Sequence, residues 1–210
     1  MIRHSSDSHS KLSADASILA GGRSQRMGRN KAWLELGNEP TIARLIRILS
    51  EPFESVRIIT NEAHGFESLE VPVLIDEKPG SGPLGGIHTA LSTTKHQATF
   101  VVGCDYPFTN SHFVRGLASL IPGHDAVVPR QDRVPVPVCA FYSTRCLPAV
   151  ETSLDRRILE ARTFLSQVNV RWVEDRELEQ LDPSGVALFN LNTPEDYDRA
   201  LTLLTKSRHL

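Results

Sequence analysis

ILAGGRSQRMGRNK, residues 18–31, is the stretch around which the rest of this chain is organised. A short apolar run leads into paired glycines, a basic loop, a third glycine and a lysine. Glycines at such a turn let backbone N–H groups approach a ligand closely, and a loop of exposed N–H groups favours anions. Positive charge is added by Arg23, Arg26, Arg29 and Lys31. The stretch therefore predicts a loop that binds a polyphosphate.

Two well-known phosphate-binding patterns do not match this stretch. A Walker loop needs Gly-Lys followed directly by Ser or Thr, whereas Lys31 is followed by Ala32. The dinucleotide pattern GxGxxG is also absent, because Ala20 precedes the Gly21-Gly22 pair. The alternative is a Gly-rich turn with solvated arginines. Such a turn would not need glycine at both ends and lysine at its close.

The composition of the whole chain limits the functions to consider. Of its 210 residues, 40% are hydrophobic and 23% are charged, as in a soluble globular protein with one substantial core. The net charge of −2 argues against general nucleic-acid binding, and no apolar run is long enough to span a membrane. Three widely spaced cysteines suit a reducing compartment better than a disulfide framework or a zinc site.

The N-terminal residues 1–16 are polar and lack the apolar segment of a secretory signal. We interpret them as a disordered tail that precedes a single domain at 17–205. Together with the cysteine usage, this favours a cytoplasmic protein.

Apolar periodicity predicts an alternation of strands and helices. Short apolar runs predict strands at 17–20, 56–60, 71–75, 99–103, 126–128, 138–142 and 170–173. Helical spacing predicts helices that begin at Thr41 and that cover 84–92, 111–120, 157–168 and 194–204. Such alternation indicates an α/β protein with a doubly wound, mostly parallel sheet, in which the Pro-flanked strand at 138–142 need not run parallel.

Two aspartates follow strands of the predicted sheet. Asp76 comes after the strand at 71–75, and Asp105 comes shortly after the strand at 99–103. Ligands of open α/β sheets bind outside the carboxyl ends of the strands, so both carboxylates should face the opening loop. A carboxylate would repel a polyphosphate unless a divalent cation lay between them, and Mg²⁺ is usually held by one or two carboxylates plus substrate phosphates. Turn or helix-capping roles stay open for both aspartates.

A second Gly-rich stretch, GSGPLGG at residues 80–86, follows Asp76. Its backbone C=O and N–H groups would suit the mixed donor and acceptor edge of guanine. Leu19 and Leu84 could supply apolar faces for the ring. We expect Gly82, Pro83 and Leu84 to line the nucleotide site, with a flexible connector before a helix as the alternative.

Asn190 and Asn192 lie on one face of a predicted extended segment, just before the helix that Pro194 opens. Asn192 or Thr193 could cap that helix. Capping accounts for one polar side chain but not for two asparagines on one face. We therefore assign Asn190 and Asn192 to a ligand or metal site, with capping as the alternative.

Four motifs in this order resemble those of the nucleotidyltransferases related to molybdenum cofactor guanylyltransferase. They are LAGG, RMG and Lys31 within residues 19–31, GPLGGI at 82–87, CDYPF at 104–108 and NLNTPE at 190–195. The LAGG motif alone marks the broad nucleotidyltransferase superfamily. The last two motifs favour the guanylyltransferase branch, and the resemblance extends over 17–204.

The resemblance implies a three-layer, Rossmann-like nucleotidyltransferase fold of the glycosyltransferase-A-like type. It also implies transfer of GMP from GTP to the terminal phosphate of molybdopterin, with release of pyrophosphate. Lys31 and Asp105 would be catalytic, Asp105 would hold Mg²⁺, and Asn190 and Asn192 would lie near the second substrate. The implied nucleotide site comprises Leu19, Ala20, Gly21, Gly22, Lys31, Asp76, Gly82, Pro83, Leu84 and Asp105.

The implied partners are GTP, a molybdopterin-type acceptor, and molybdoenzymes or other cofactor-biosynthesis proteins, with neither nucleic acid nor membrane. Two other functions stay open at this point. One is the same chemistry with CTP or another phosphorylated acceptor. The other is a nucleotide-binding adaptor without catalytic activity, against which the presence of both Lys31 and Asp105 argues.

Overall fold

The computed structural model describes residues 10–21 and 31–207. Within them, short 3₁₀ turns lie at Lys31–Trp33, Thr144–Cys146 and Phe164–Gln167. The strands are β1 (Asp15–Leu19), β2 (Glu35–Leu36), β3 (Glu39–Pro40), β4 (Val56–Thr60), β5 (Val73–Ile75), β6 (Ala98–Gly103), β7 (Ala126–Gln131), β8 (Val134–Pro135), β9 (Cys139–Ser143) and β10 (Val170–Val173). The α-helices are α1 (Thr41–Leu49), α2 (Pro83–Thr93), α3 (Ser111–Ser119), α4 (Leu147–Asp155), α5 (Asp175–Leu181) and α6 (Pro194–Ser207).

One mixed sheet forms the centre of the protein. Its order is β10-β7-β9-β6-β1-β4-β5, with β8 paired to β7, while β2 and β3 form a separate small sheet. Strands β6, β1, β4 and β5 are parallel neighbours, and β9 runs antiparallel to both β6 and β7. The predicted mostly parallel sheet is confirmed. As a result, β1, β4, β5 and β6 all end at the same edge.

Helices cover both faces of this sheet. Consecutive residues of β1 show this directly, because Ile18 packs into the core cluster that contains residues of α1 and α3, and Leu19 packs into the cluster that contains residues of α2 and α4. A strand buried on both faces needs apolar residues at successive positions, as β6 has at 100–102. In β1, the buried polar residues Asp15 and Ser17 both contact the Arg57 guanidinium instead. The three-layer α/β prediction is therefore confirmed.

The predicted helix at 157–168 is wrong. The helix is α4, which starts earlier because Pro148 stands in its first turn, where proline is well tolerated. It ends at Asp155 and is closed by Arg157, whose φ is 57°. The Arg157 N–H donates to the Leu154 carbonyl at 2.9 Å, and the Ile158 N–H donates to the Ser153 carbonyl at 2.9 Å. This pair of hydrogen bonds is a Schellman motif, here built without the usual glycine.

The predicted tail is corrected at its C-terminal end, since β1 begins at Asp15 and both Asp15 and Ala16 are buried. Asp15 is accommodated because a carboxylate oxygen lies 3.2 Å from the buried Arg57 guanidinium and accepts a hydrogen bond from the Thr94 hydroxyl at 2.7 Å. Residues 1–9 of that tail lie outside the described residues. Within 10–21 and 31–207, no helix is long and apolar enough to cross a membrane.

Candidate active site

A cavity of about 1220 Å³ opens where β1, β4, β5 and β6 end. Asp76, Asp105 and Gly21 all line it, so the predicted meeting of three strand ends in one crevice is confirmed. Gly22 lies outside the described residues. The predicted site residues that line the cavity are Leu19, Ala20, Gly21, Lys31, Asp76, Gly82, Pro83, Asp105 and Asn192.

The N-terminus of α2 forms one wall of the cavity. Gly82 precedes the helix with a φ of 60°, a conformation that favours glycine, and Pro83 occupies its first turn. Gly85 permits the Asp76 side chain to lie against this turn, because a Cβ there would be 2.8 Å from Asp76 Oδ2. Gly86 permits the Leu19 side chain to pack against the same turn, because a Cβ there would be 2.8 Å from Leu19 Cδ2. The glycines thus serve close packing at the site.

Asp76 has both a turn role and access to the cavity. Its Oδ1 accepts hydrogen bonds from the Lys78 N–H at 2.9 Å and from the Thr89 hydroxyl at 3.2 Å. Thr89 Oγ1 in turn accepts from the Glu77 N–H at 2.9 Å. The turn interpretation is therefore correct, and these contacts hold a buried carboxylate at the edge of the cavity.

Leu84 does not line the cavity, so its predicted contact with the base is wrong. Its side chain is 0% exposed and packs in the core cluster that contains Leu19 and Ile59. Leu84, the second residue of α2, therefore faces the sheet, since Leu19 belongs to β1 and Ile59 to β4. Leu19 and Ile59 reach the cavity from that same cluster.

Lys31, Asp105 and Asn192 meet at the opposite wall. The Lys31 ammonium lies 3.8 Å from Asp105 Oδ2 and donates a hydrogen bond to Asn192 Oδ1 at 2.8 Å. The Cys104 N–H donates to the Leu19 carbonyl at 3.0 Å and thereby ties the loop after β6 to the end of β1. The sequence separation between Lys31 and Asn192 is 161 residues, so only the tertiary fold brings them together.

The carboxylate of Asp105 lies back over the end of its own strand. A Cβ on Gly103 would be 2.3 Å from Asp105 Oδ1, so any side chain there would force this carboxylate to move. Partial burial raises the pKa of Asp105, which the positive charge of Lys31 and hydrogen bonding by Asn190 oppose. Burial raises the pKa of the neighbouring Cys104 thiol to about 12, so this cysteine is not a thiolate nucleophile at neutral pH.

The structure separates the two predicted asparagines. Asn192 lines the cavity and contacts Lys31, whereas Asn190 is not among the lining residues and interacts with Asp105. Within the described residues, Asn190 Oδ1 is a buried oxygen without a hydrogen-bond partner. One asparagine thus lies at the cavity and the other beside Asp105, and their assignment to a ligand or metal site stays a prediction.

The loop after β4 also contributes to the cavity and was not predicted from the sequence. Asn61, Glu62, His64 and Phe66 line the cavity, and Asn61 Nδ2 lies 3.4 Å from the position of a Cβ on Gly21. The same strand-end rule that singled out Asp76 and Asp105 would have pointed to Asn61, because it directly follows β4.

A sheet edge that combines a Gly-rich first loop, a lysine, a strand-end aspartate and a helix N-terminus defines the class of the protein as a nucleotide-binding α/β transferase. Residues 16–185 match the family model of the MobA-like NTP transferase domain. The chain belongs to this family of nucleotidyltransferases.

Curated relatives and a solved structure match nearly the full chain. A probable molybdenum cofactor guanylyltransferase from Pelotomaculum thermopropionicum is 38% identical over 197 residues, which cover 94% of this chain and 96% of the relative. A protein of the same name from Methanosarcina mazei is 34% identical, and the match covers 89% of each chain. The crystal structure of molybdopterin-guanine dinucleotide biosynthesis protein A from Archaeoglobus fulgidus matches with a TM-score of 0.81 at 26% identity, covering 91% of this chain and 99% of that one.

The fold extends to more distant nucleotidyltransferases. The structure of 2-C-methyl-D-erythritol 4-phosphate cytidylyltransferase from Thermus thermophilus has a TM-score of 0.67 at 15% identity and covers 90% of this chain and 98% of that one. At this identity, only the fold is shared.

Proposed function

We propose that this protein transfers GMP from GTP to the terminal phosphate of molybdopterin and releases pyrophosphate. The observation that carries the proposal is the meeting of Lys31 and Asp105 beside the Gly21 loop, at a separation of 3.8 Å. The reaction is the one for which relatives up to 38% identical over nearly the whole chain are named. The proposed nucleotide site is formed by Leu19, Ala20, Gly21, Gly22, Lys31, Asp76, Gly82, Pro83 and Asp105.

The proposed reaction does not require the protein to supply a general base. A terminal phosphate oxygen of the acceptor is already anionic at neutral pH, so it attacks the α-phosphorus without a general base. The new P–O bond forms as the bond to the β-phosphate oxygen breaks, and pyrophosphate leaves with that electron pair. Catalysis of such transfers depends on positioning and on neutralising charge. The Lys31 ammonium supplies fixed positive charge for this purpose.

The residues at this wall fit a magnesium ion that the protein shares with its substrate. Within the described residues, no group of three or more His, Cys, Asp or Glu side chains could hold a metal. Asp105 offers one carboxylate whose partial burial favours a nearby cation. One carboxylate combined with phosphate oxygens is a common way to hold Mg²⁺. When bound there, Mg²⁺ would neutralise charge on the triphosphate.

The molybdopterin acceptor is proposed to bind in the part of the cavity near β9. Val138, which precedes β9, lines the cavity, and its carbonyl accepts a hydrogen bond from the Gly103 N–H at 2.9 Å. The acceptor phosphate would approach from this side. The interaction with molybdoenzymes or other cofactor-biosynthesis proteins, and the cytoplasmic location, stay predictions from the sequence.

The choice of base gives a first test. We expect GTP to bind at least about tenfold more tightly than ATP or CTP, the equivalent of ~1.4 kcal/mol. The backbone groups around Gly82 and Pro83 suit guanine. Gly80 and Gly82 leave room for a purine, because an added Cβ at either would meet no atom within 4 Å. Isothermal titration calorimetry with the three nucleotides measures this preference, and inorganic tripolyphosphate serves as the control without a base.

The alternatives make different predictions for this calorimetry and for an assay of pyrophosphate release. Equal binding of CTP and GTP would contradict the preference and favour a cytidylyltransferase. A nucleotide-binding adaptor would show the preference but release no pyrophosphate with any acceptor.

A further inference from the structure

The Lys31 ammonium is oriented by the side-chain amide of Asn192 and not by the nearby carboxylate of Asp105. Its distance of 2.8 Å from Asn192 Oδ1 is a hydrogen bond, whereas its 3.8 Å from Asp105 Oδ2 is too long for one. Both charged side chains are partly exposed, Lys31 to 19% and Asp105 to 23%. The lysine and aspartate therefore stand close together without forming a tight pair.

Asn192 is held in place by its own backbone neighbours. The Leu191 N–H donates to the Asp105 carbonyl at 2.8 Å. The backbone N–H groups of Asn192 and Thr193 donate to Asp196 Oδ2 at 3.1 and 3.0 Å, and the Asp196 N–H donates back to Thr193 Oγ1 at 3.2 Å. This reciprocal arrangement is a capping box, which fixes the first turn of α6.

Helix α6 is also attached to the segment that follows Lys31. The Tyr197 hydroxyl donates to the Glu35 carbonyl of β2 at 2.6 Å. Leu191 and Ala200 share a small core cluster with Leu36 of β2 and with Phe108, which follows Asp105. The same short stretch of chain therefore contacts both segments that carry the charged pair.

We propose that Asn192 is a positioning residue that holds the Lys31 ammonium away from Asp105, so that both charges stay available to the triphosphate. This inference rests on the proposed GTP site. An amide oxygen suits the role because it accepts a hydrogen bond without cancelling the charge of the lysine. Without it, the flexible lysine would close onto Asp105 and each charge would neutralise the other. Asn192 thus acts through Lys31, and not as the second-substrate contact that the sequence predicts.

The test is a double-mutant cycle on nucleotide binding without metal. GTP and guanosine are titrated by calorimetry in EDTA against the wild type, Asn192→Ala, Lys31→Ala and the double variant. We expect Asn192→Ala to weaken GTP about fivefold and guanosine less than about twofold, since only the phosphates contact the lysine. In the Lys31→Ala background, the same substitution should change GTP affinity less than about twofold.

Two further variants sharpen the test. Asn192→Asp keeps an acceptor oxygen but adds a negative charge, so we expect it to bind GTP no better than Asn192→Ala does. Glu195→Gln alters an exposed residue in the first turn of α6 and should bind GTP as the wild type does.

Three results would overturn the inference. The first is that Asn192→Ala weakens GTP binding by the same factor with and without Lys31. The second is that it weakens GTP and guanosine binding equally, and the third is that it binds GTP as tightly as the wild type does. If the wild type binds GTP only with Mg²⁺, the cycle is run with Mg²⁺ and the same results decide it. Failure of the wild type to bind GTP even with Mg²⁺ would be a different outcome, because it would contradict the proposed function itself. In that case the same cycle is run with whichever nucleoside triphosphate the wild type binds, and the same three results decide it.

Discussion

Replacing Asp105 by asparagine should lower turnover at saturating Mg²⁺ by several hundredfold. The neutral amide neither holds the proposed metal ion as well nor balances the charge of Lys31, which stands 3.8 Å away. A loss of ~3–4 kcal/mol of charge stabilisation at the transferred phosphate corresponds to this reduction. Turnover is measured as pyrophosphate release from GTP in the presence of molybdopterin.

The same substitution should leave the ligand-free protein at least as stable at neutral pH. Partial burial raises the pKa of Asp105, so its ionised form is disfavoured in the folded state. A carboxyl with a raised pKa favours the folded state at low pH, and that advantage is lost as pH rises through the folded-state pKa. The variant cannot ionise at this position. Its melting temperature relative to the wild type should therefore rise as pH increases from the acidic range to neutrality.

A matched control distinguishes an effect specific to the active site from a general effect of replacing aspartate by asparagine. Asp132→Asn changes an exposed aspartate in the β7–β8 turn, where a φ of 50° suits asparagine equally well. We expect wild-type turnover and stability from this control. Wild-type turnover in Asp105→Asn would show that the metal is held elsewhere.

Lys31→Ala should weaken GTP binding by about 10- to 100-fold, the equivalent of ~1.5–3 kcal/mol for a charged hydrogen bond. Guanosine binding should change less than about twofold, because the ammonium contacts phosphate and not base. Calorimetry with both ligands measures the two effects in the same preparation. Lys95→Ala removes an exposed lysine from the loop after α2 and serves as the control. Equal losses for GTP and guanosine would mean that the variant had disturbed the fold and would contradict the assigned role.

Local sequence predicted most of the sheet because burial on both faces leaves a strong signal. The runs at β4 and β6 are apolar or β-branched almost throughout, and both strands are fully buried. The prediction failed where local patterns have two meanings. The helix predicted at 157–168 is in fact α4, which Pro148 opens earlier in the chain. Asp15 suggested a solvated tail but pairs with the buried Arg57.

The strand-end rule predicted the site better than side-chain character did. It placed Asp76 and Asp105 at one cavity and would also have identified Asn61. Leu84 was misassigned because its apolar side chain suited both a base and the core, and only the packing of α2 decides between them. The bond between Lys31 and Asn192 could not be predicted, because it depends on how α6 docks far along the chain.

Product identity is the most direct test of the central claim that this protein joins GMP to molybdopterin. The protein is incubated with molybdopterin, Mg²⁺ and each nucleoside triphosphate in turn, and the products are identified by mass. We expect a guanine dinucleotide of the pterin with GTP, formed together with one pyrophosphate per product molecule. A cytosine dinucleotide formed only with CTP, or consumption of GTP without any pterin dinucleotide, would contradict the claim.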